Sequence, residues 1–355
     1  MVLLCAGWAF LEGQWKLVTP RSAFTPLQRP LRIVTLNVLM DSRNPSKPCC
    51  DIPEVLQHKR RFRKSLQELE RADADVIGLN EVTHYFLRML TEEAWVRKSY
   101  MLSTVCSEEE PENTAVSRKF GNVLLSRVPV ASLRHIQMPN GRQAEAAIIH
   151  TSHNGLRVRT MVTSVHLTAF PTQVAQRANE LQSLTSRLAM VDEWDLAVVL
   201  GDFNFHREAE SSSIPDGWVE LPAALGKYTF DMAKNPMIRH YLPKIWWGAG
   251  WSLLWPVQMR LDRFIVMSKN CGSHVDLHAS SVELFADAPV REGPSHEMTE
   301  PTGMLMKVFA FLPSLVQHLW SHRRQPWEEY LFPSDHFGLV IDLALISETN
   351  FKAKL

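Results

Sequence analysis

Short runs of apolar residues, many of them β-branched, recur along the chain and predict buried β-strands. The runs lie at residues 31–38, 75–82, 121–126, 146–149, 157–166, 196–200, 259–267 and 337–343. Runs this short and this rich in branched residues suit strands better than helices. The pattern therefore predicts a sheet-rich core.

Apolar residues at helical spacing predict three helices, over residues 54–71, 84–98 and 171–191. The third has the clearest pattern, with apolar residues at 174, 178, 181, 184, 188 and 191 after Pro171, which suits a helix start. Strands alternate with helices in part of the chain and follow one another directly elsewhere. This order predicts an α/β fold in which mixed β-sheets are covered by helices.

No stretch of the chain is a convincing linker, so we predict one domain over residues 31–345 after an N-terminal arm over residues 1–30. Insertions are expected near residues 232–258 and 287–330. The apolar start, residues 1–11, lacks a basic n-region and is ended early by Glu12, so a first strand or a packed arm is favoured over a targeting signal.

Two lipophilic stretches lie in or beside these insertions. Residues 245–257 contain four tryptophans but are too short to cross a bilayer, which takes about 20 residues. Residues 303–320 are longer, but Lys307, Pro313 and His318 interrupt them. We therefore expect no transmembrane helix. Contact with a membrane surface, contact with a partner protein or with unpaired bases, and packing on the core remain open for these stretches.

Composition is that of an ordinary globular protein, with 45% hydrophobic and 21% charged residues. Lys plus Arg and Asp plus Glu number 38 each, which argues against a uniformly basic nucleic-acid coat but not against a local basic groove. The five cysteines form no CxxC pair, so neither a disulfide framework nor a cysteine zinc site is expected. A nuclear or cytoplasmic location is favoured, a membrane-peripheral one stays open, and the oligomeric state is not predicted.

Polar residues of a few chemical types stand where the predicted strands end or begin, and one, Asp262, sits inside the predicted strand 259–267. They are Asn37, Glu81, His166, Asp202, Asn204, Asp262, Asp335 and His336. Strand ends that meet at one sheet edge hold side chains rigidly, and carboxylates there suit a hard cation such as Mg²⁺. Histidines and amides can offset charge on phosphate oxygens while an aspartate orients a water. The set therefore predicts chemistry at a phosphoryl group.

Each of these residues also has a structural interpretation. Residues 201–204 (Gly-Asp-Phe-Asn) could form a turn after a strand, His166 could be a core histidine, and Asp335–His336 could cap a loop. The joint pattern, repeated at one strand end after another, favours function.

On these residues and motifs the chain resembles the endonuclease/exonuclease/phosphatase superfamily, whose fold is that of the DNase I-like proteins. The resemblance spans residues 31–343 and is strongest to the 5′-tyrosyl-DNA phosphodiesterases. The motifs that carry it are FPSDHFGLV (332–340), MRLDRFIV (259–266), YTFDM (228–232) and PTQVAQRANELQSL (171–184), with GNVLLSRVPV (121–130) a general feature of the superfamily. It implies an α/β four-layer sandwich of two mixed β-sheets flanked by helices.

The resemblance also implies a cofactor and its ligands. Glu81 would be the principal ligand of Mg²⁺, with Mn²⁺ as an alternative, and Asp335 would line the metal side. Asn37 would help to place the phosphate and the waters of the metal.

The remaining roles concern the reacting phosphate. Asp202 would activate the attacking water, and Asn204 would bind a phosphate oxygen. His166 and His336 would stabilise charge on the pentavalent phosphorus, and Asp262 would hold His336 in its useful tautomer.

Three positions differ from the pattern of the tyrosyl branch. Leu39 stands where an acid is usual, Asn80 where glutamine is usual, and Ala169 where a serine is often found.

The basic run 59–64 is open to a solvated helix face, a phosphate contact or a nuclear signal. Arg177 is open to a contact with the site or a surface ion pair.

Three hypotheses of function follow. The first is a metal-dependent phosphodiesterase acting on nucleic-acid ends, with removal of a tyrosyl adduct from a DNA 5′ terminus, as in DNA repair, as its most specific form. The second is a phosphohydrolase of phosphoinositides or sphingomyelin, motivated by the two lipophilic stretches. The third is a non-catalytic module on the same fold.

Overall fold

The structure is a computed structural model that describes residues 7–40, 58–106, 120–153, 155–221, 227–235, 237–238, 257–269, 276–289 and 332–346. In chain order its strands are β1 (Trp8–Leu11), β2 (Gln14–Leu17), β3 (Thr25–Pro26), β4 (Leu31–Asn37), β5 (Val76–Val82), β6 (Met101–Leu102), β7 (Gly121–Ser126), β8 (Val130–Gln137), β9 (Gln143–His153), β10 (Leu156–His166), β11 (Leu196–Asp202), β12 (Val219–Glu220), β13 (Phe230–Asp231), β14 (Gln258–Met259), β15 (Asp262–Ser268), β16 (Asp276–Phe285) and β17 (Gly338–Ile346). The helices are α1 (His58–Ala72), α2 (His84–Glu92), α3 (Ala94–Ser99) and α4 (Val174–Ala189), with a 3-10 helix at Glu208–Ser213.

Among the described residues, fifteen of the seventeen strands form two large mixed sheets, and β13 pairs with β14 in a separate two-stranded sheet. The first sheet has the order β16-β17-β4-β5-β7-β6-β1-β2, and the second has the order β12-β15-β11-β10-β9-β3, with β8 also paired to β9. Each sheet has a parallel pair near its centre, β4 with β5 and β10 with β11, and β3 also pairs in parallel with β9 in the second sheet. The carboxyl ends of the two strands in each parallel pair therefore meet at the same edge of their sheet.

Three apolar clusters show how the layers stack. One cluster joins inward-facing residues of both sheets, such as Ile33, Val76, Val162 and Val198. A second packs α1 and α2 on the outer face of the first sheet, and a third packs α4 on the outer face of the second sheet. The molecule is thus the predicted four-layer α/β sandwich of two mixed sheets flanked by helices, because each sheet buries both of its faces.

Most predicted elements are confirmed, with shifts at their ends. The helix predicted over 84–98 is two helices, because the backbone at Glu93 is extended and interrupts the helical conformation. The run 259–267 is likewise divided into β14 and β15. Sequence reasoning missed β8 and β16. Residues 8–26, within the predicted N-terminal arm, add β1 and β2 to the first sheet and β3 to the second.

Most of both predicted insertions, including the stretch 303–320 and nearly all of 245–257, lies outside the described residues. Within the described part of the chain, no helix has the length and apolar character needed to cross a bilayer.

Two glycines permit the close approach of strands beneath the edge where β4, β5, β10 and β11 end. A Cβ on Gly78 would lie 2.2 Å from Cδ1 of Leu200 in the other sheet. Gly201 has φ of 133°, and a Cβ there would lie 2.0 Å from the carbonyl oxygen of Val165 and 3.0 Å from Oδ1 of Asn80. A side chain at Gly201 would therefore collide with backbone, whereas one at Gly78 would require the side chain of Leu200 to move.

Replacing Gly201 with Ala should lower the free energy of unfolding by about 2 kcal/mol or more, because the methyl group meets backbone and the residue keeps a left-handed φ. Urea unfolding followed by tryptophan fluorescence measures the change. Gly217→Ala is the matched control, since Gly217 has φ of 84° but no atom within 4 Å of its Cβ position. An equal loss in both variants would show that φ alone, and not the close approach, matters at Gly201.

Candidate active site

The strand register brings predicted site residues to one edge of the molecule. His166 pairs opposite Asp202 at the ends of β10 and β11, and Asp202 pairs opposite Asp262 at the start of β15. In the first sheet Asn37 pairs opposite Asn80, the residue before Glu81. The edges of the two sheets lie side by side here.

An amide joins the carboxylates of the two sheets. Nδ2 of Asn37 donates to Oε1 of Glu81 at 3.2 Å and to Oδ2 of Asp202 at 3.1 Å. The other oxygen of Glu81 accepts the backbone N–H of Met40 at 3.1 Å. Glu81 has φ of 58°, an unfavourable value for a residue with a side chain, and it lies beside an irregularity in the pairing of β5 with β7. Glu81 and Asp202 are therefore held in fixed positions relative to each other.

His336 lies between two aspartates. Its Nδ1 is 2.7 Å from Oδ2 of Asp262, and its Nε2 is 3.9 Å from Oδ2 of Asp202. Nε2 of His166 is 3.5 Å from the same oxygen of Asp202. Thr229 fixes Asp262 from behind, because its hydroxyl oxygen accepts the backbone N–H of that residue at 3.1 Å. A proton on Nδ1 of His336 leaves Nε2 to face Asp202 and the space beside it.

The loop that carries Asp335 is bound directly to the end of β4. The hydroxyl of Ser334 donates to the carbonyl oxygen of Asn37 at 2.6 Å and lies 3.2 Å from Oδ1 of Asp335. Asp335 is 7% exposed, and its negative charge adds to the rise in the pKa of Glu81. The two carboxyl groups are thus near enough to repel each other.

Asn204 lies at the site, and its side-chain amide faces protein backbone. Its Nδ2 donates to the carbonyl oxygen of Leu167 at 3.1 Å, while its backbone N–H donates to Oδ1 of Asp202 at 2.8 Å. Asn204 therefore orients Asp202 and ties the end of β10 to the end of β11. Contact with a phosphate oxygen stays a prediction for this residue.

Burial and neighbouring charge set the protonation of the four titrating groups. Burial, with the charge of Asp262, raises the pKa of Asp202 to about 7. Burial and Asp335 raise the pKa of Glu81. Burial opposes the charged form of His336, but the carboxylates of Asp262, Asp335 and Asp202 outweigh it and raise the pKa of His336 well above the ordinary value.

His166 is the opposite case. Burial, with the charges of Arg142 and His336, holds the pKa of His166 well below the ordinary value. The site therefore pairs a neutral imidazole with a charged one, on either side of Asp202.

Two groups of carboxylates could hold a divalent cation. One is Asp202 with Asp262 and His336, whose ligand atoms lie within 4.8 Å of one another. The other is Glu81 with Asp335, as the resemblance implies. In the first group the Nδ1 atom of His336 is already bonded to Asp262, and an imidazolium repels a cation. The second group offers only oxygen donors whose mutual repulsion a cation would relieve, so it fits Mg²⁺ better.

Asn80 is a residue of the candidate site that strand-end reasoning missed. Its Oδ1 accepts the backbone N–H of Asp202 at 3.0 Å, and its Nδ2 donates to the carbonyl oxygen of Val165 at 3.0 Å and to Oδ1 of Asn122 at 2.8 Å. The amide thus joins the two sheets directly below Asp202. Its place beside Glu81, where the related pattern has glutamine, was the available signal.

Arg177 takes neither of its two predicted positions. It is fully buried, and its guanidinium binds Oε2 of Glu210 at 2.6 and 2.9 Å as well as the carbonyl oxygens of Thr168 and Phe170. The apolar periodicity of α4 assigned Arg177 to the solvent face. The 3-10 helix that carries Glu210 covers that face, and the periodicity of α4 alone cannot reveal this cover.

Residues 34–336 match the Endonuclease/Exonuclease/phosphatase family. The chain belongs to this family. Members are hydrolases that act on phosphoester bonds and generally depend on a divalent metal. No curated protein sequence matches the chain.

Solved structures of the same fold are similar at low sequence identity. D. rerio TDP2 in complex with a single-strand DNA product has a TM-score of 0.54 and 17% identity, over 88% of this chain and 98% of that chain. The catalytic domain of human Nocturnin, with a bound sulfate, has a TM-score of 0.51 and 16% identity, over 91% and 97%. Beta toxin from Staphylococcus aureus has a TM-score of 0.53 and 14% identity, over 88% and 99%. These likenesses establish the DNase I-like fold.

Replacing Asp262 with Asn should lower the pKa of His336, because a neutral amide no longer favours the imidazolium. A raised pKa in the folded state means that protonated His336 stabilises the fold below about pH 6.5, and that this contribution is lost as pH rises through the folded pKa. The variant should lose much of that dependence. An NMR titration of the imidazole protons in metal-free protein, with urea unfolding at several pH values, measures both effects. The exposed Asp216→Asn is the control, and an unchanged titration of His336 would contradict the assignment.

Proposed function

We propose that this family member is a Mg²⁺-dependent phosphodiesterase that hydrolyses a phosphodiester at a nucleic-acid end, with a tyrosyl adduct on a DNA 5′ terminus as its preferred substrate. The observation that carries the proposal is the convergence of Glu81, Asn37, Asp202, His166 and His336 at one edge of the sandwich. Burying several carboxylates together is costly for a fold. A purely structural module would gain nothing from that cost.

Asp202 is suited to activate water. The hydrogen bonds from Asn37 and from the backbone N–H of Asn204 fix the carboxylate in one orientation. A pKa of about 7 allows Asp202 to accept a proton from water near neutral pH. In the proposed reaction a water oxygen forms a bond to phosphorus, its proton passes to Asp202, and the bond from phosphorus to the leaving oxygen breaks.

The two histidines would stabilise the charge that develops on the phosphoryl oxygens. His336 is held by Asp262 with Nε2 directed toward the reaction space, and it carries a positive charge at neutral pH. His166, which stays neutral, can donate one hydrogen bond from Nε2 without competing for the proton of Asp202. Fixed donors of this kind stabilise a transition state without reorganising during the reaction.

Glu81 and Asp335 would hold the cation. A bound Mg²⁺ would act there as a Lewis acid that offsets negative charge on the phosphate. Asn37, the neutral member of the group, orients Glu81 without adding to the negative charge.

A phenolate suits this site as leaving group. Phenol has a pKa of about 10, so a phenolate leaves without much protonation, and the reaction needs little help from a general acid. D. rerio TDP2, which shares the fold, is solved with a single-strand DNA product, and this supports a nucleic-acid substrate.

Purified protein with Mg²⁺ should convert a 5′-phosphotyrosyl oligonucleotide into a 5′-phosphate oligonucleotide and free tyrosine, as followed by gel mobility and mass spectrometry. Asp202→Asn should lower kcat by about 10²–10⁴-fold, because the general base is lost. EDTA should abolish turnover and added Mg²⁺ should restore it. The exposed Asp216→Asn should retain wild-type turnover.

The same assay should include abasic DNA, poly(A), and vesicles that contain phosphoinositides or sphingomyelin. If the 5′-phosphotyrosyl oligonucleotide stays intact, the proposed tyrosyl substrate is wrong. Release of phosphate or phosphocholine from vesicles would favour the lipid hypothesis, whose motivating stretches lie almost entirely outside the described residues. A chain that turns over no member of the panel and binds no cation would be a non-catalytic module.

A further inference from the structure

One buried arginine contacts both loops on the cation side of the site. Arg61 lies on α1, within the basic run 59–64, and is fully buried. Its Nη1 donates to the carbonyl oxygens of Val38 at 3.3 Å and Pro333 at 3.1 Å, and its Nη2 donates to the carbonyl oxygen of Leu39 at 3.1 Å. A single guanidinium thus joins chain segments almost 300 residues apart.

These carbonyl groups belong to the loops that orient the proposed cation ligands. Val38 and Leu39 follow Asn37 and precede Met40, whose backbone N–H binds Glu81. Pro333 comes two residues before Asp335. Arg61 therefore reaches Glu81 through one loop and Asp335 through the other.

A guanidinium is well suited to this task. Buried carbonyl oxygens need donors, and the rigid fork of arginine supplies several donors in fixed directions, whereas a lysine ammonium is a point charge on a flexible stem. A weaker parallel contact comes from Ser65, one turn along α1, whose hydroxyl donates between the carbonyl oxygens of Arg61 at 3.0 Å and Pro333 at 3.2 Å. Arg63 of the same basic run is exposed. Only part of the run thus faces solvent.

We propose that Arg61 is a positioning residue for the cation site, which fixes the separation of Glu81 and Asp335 by holding the 38–40 loop against the 333–335 loop. This inference rests on the proposed function, since it takes those two carboxylates as the cation ligands. Arg61 acts through the loops and touches neither substrate nor cation.

Arg177 provides an internal comparison on the opposite side of the site. It holds the carbonyl oxygens of Thr168 and Phe170, in the loop that follows His166, and it binds Glu210 after Asn204. Loss of Arg177 should disturb the phosphate-binding side, and loss of Arg61 should disturb the cation side. The two variants therefore separate a local effect from general destabilisation.

The test measures Mn²⁺ affinity by titration calorimetry on the full chain, together with hydrogen exchange by mass spectrometry. Arg61→Met should weaken Mn²⁺ binding about 10–100-fold, as does loss of residues that orient metal ligands. Exchange should quicken in peptides covering 36–40 and 332–337. Arg61→Lys should have a Mn²⁺ affinity between those of the wild type and Arg61→Met. Arg61→Met should also lose kcat, and excess Mg²⁺ should recover part of that loss. Arg177→Met and the exposed Arg63→Met should keep wild-type Mn²⁺ affinity.

Ser65→Ala, which removes one hydrogen bond, replaces Arg61→Met if that variant does not fold, and it should weaken Mn²⁺ binding in the same direction. If a folded Arg61→Met binds Mn²⁺ with wild-type affinity, the inference is overturned even where exchange is faster, because Arg61 would then be only structural. The same outcome in Ser65→Ala overturns the inference when that variant replaces Arg61→Met. Equal weakening in Arg177→Met would overturn it as well. A wild-type chain that binds no Mn²⁺ refutes the proposed cation site itself.

Discussion

Two asparagine amides that join the sheets are the links on which the site depends. Asn80 accepts the backbone N–H of Asp202 and donates to the carbonyl oxygen of Val165, while Asn37 donates to the carboxylates of Glu81 and Asp202. These short side chains can reach across because the glycines below them let the strands approach. A buried amide that loses its partners is costly, so polar bonds with fixed directions set the alignment of the two sheets at this edge. Apolar packing elsewhere allows small shifts that these bonds do not.

Backbone strain is concentrated at the same edge. Among the described residues, seven that are not glycine have positive φ, and four of them lie at the site: Leu39, Glu81, Phe170 and Asn204. Each such residue costs about 1–3 kcal/mol and persists only where its surroundings fix it. Here the fixing contacts are visible, since the N–H groups of Leu39 and Asn204 bind Asn37 and Asp202, and Arg177 binds the carbonyl group of Phe170. The strained backbone conformations therefore lower the stability of the fold, and they direct side chains into the candidate site.

The sequence predicted the strands and the long helix well because their signals are local. Apolar runs end where strands end, and polar residues that follow neighbouring strands lie together at one edge of a sheet. This rule was enough to select Glu81, His166 and Asp202. It could not foresee that Asn204 would turn its amide to the carbonyl group of Leu167, since that choice depends on a positive φ. Nor could it place Arg61 or Arg177, because the loops that bury them come from distant parts of the chain. Periodicity within one helix shows which face is apolar, but not which polar face another segment will cover.

The types of residue at the site follow from charge. Glu81 and Asp335 already repel each other, and an acid at position 37 would place a third negative charge between Glu81 and Asp202. An amide there donates to both carboxylates instead, so it lowers the repulsion and fixes the geometry. On the opposite side His336 needs acids nearby, since the carboxylates of Asp262, Asp335 and Asp202 together offset the burial that would otherwise neutralise the imidazole. His166 lies 3.5 Å from the carboxylate of Asp202, but burial, with the charges of Arg142 and His336, keeps its imidazole neutral. Asp202 lies between the two histidines, and its pKa of about 7 follows from burial and the charge of Asp262, which the positive charge of His336 opposes.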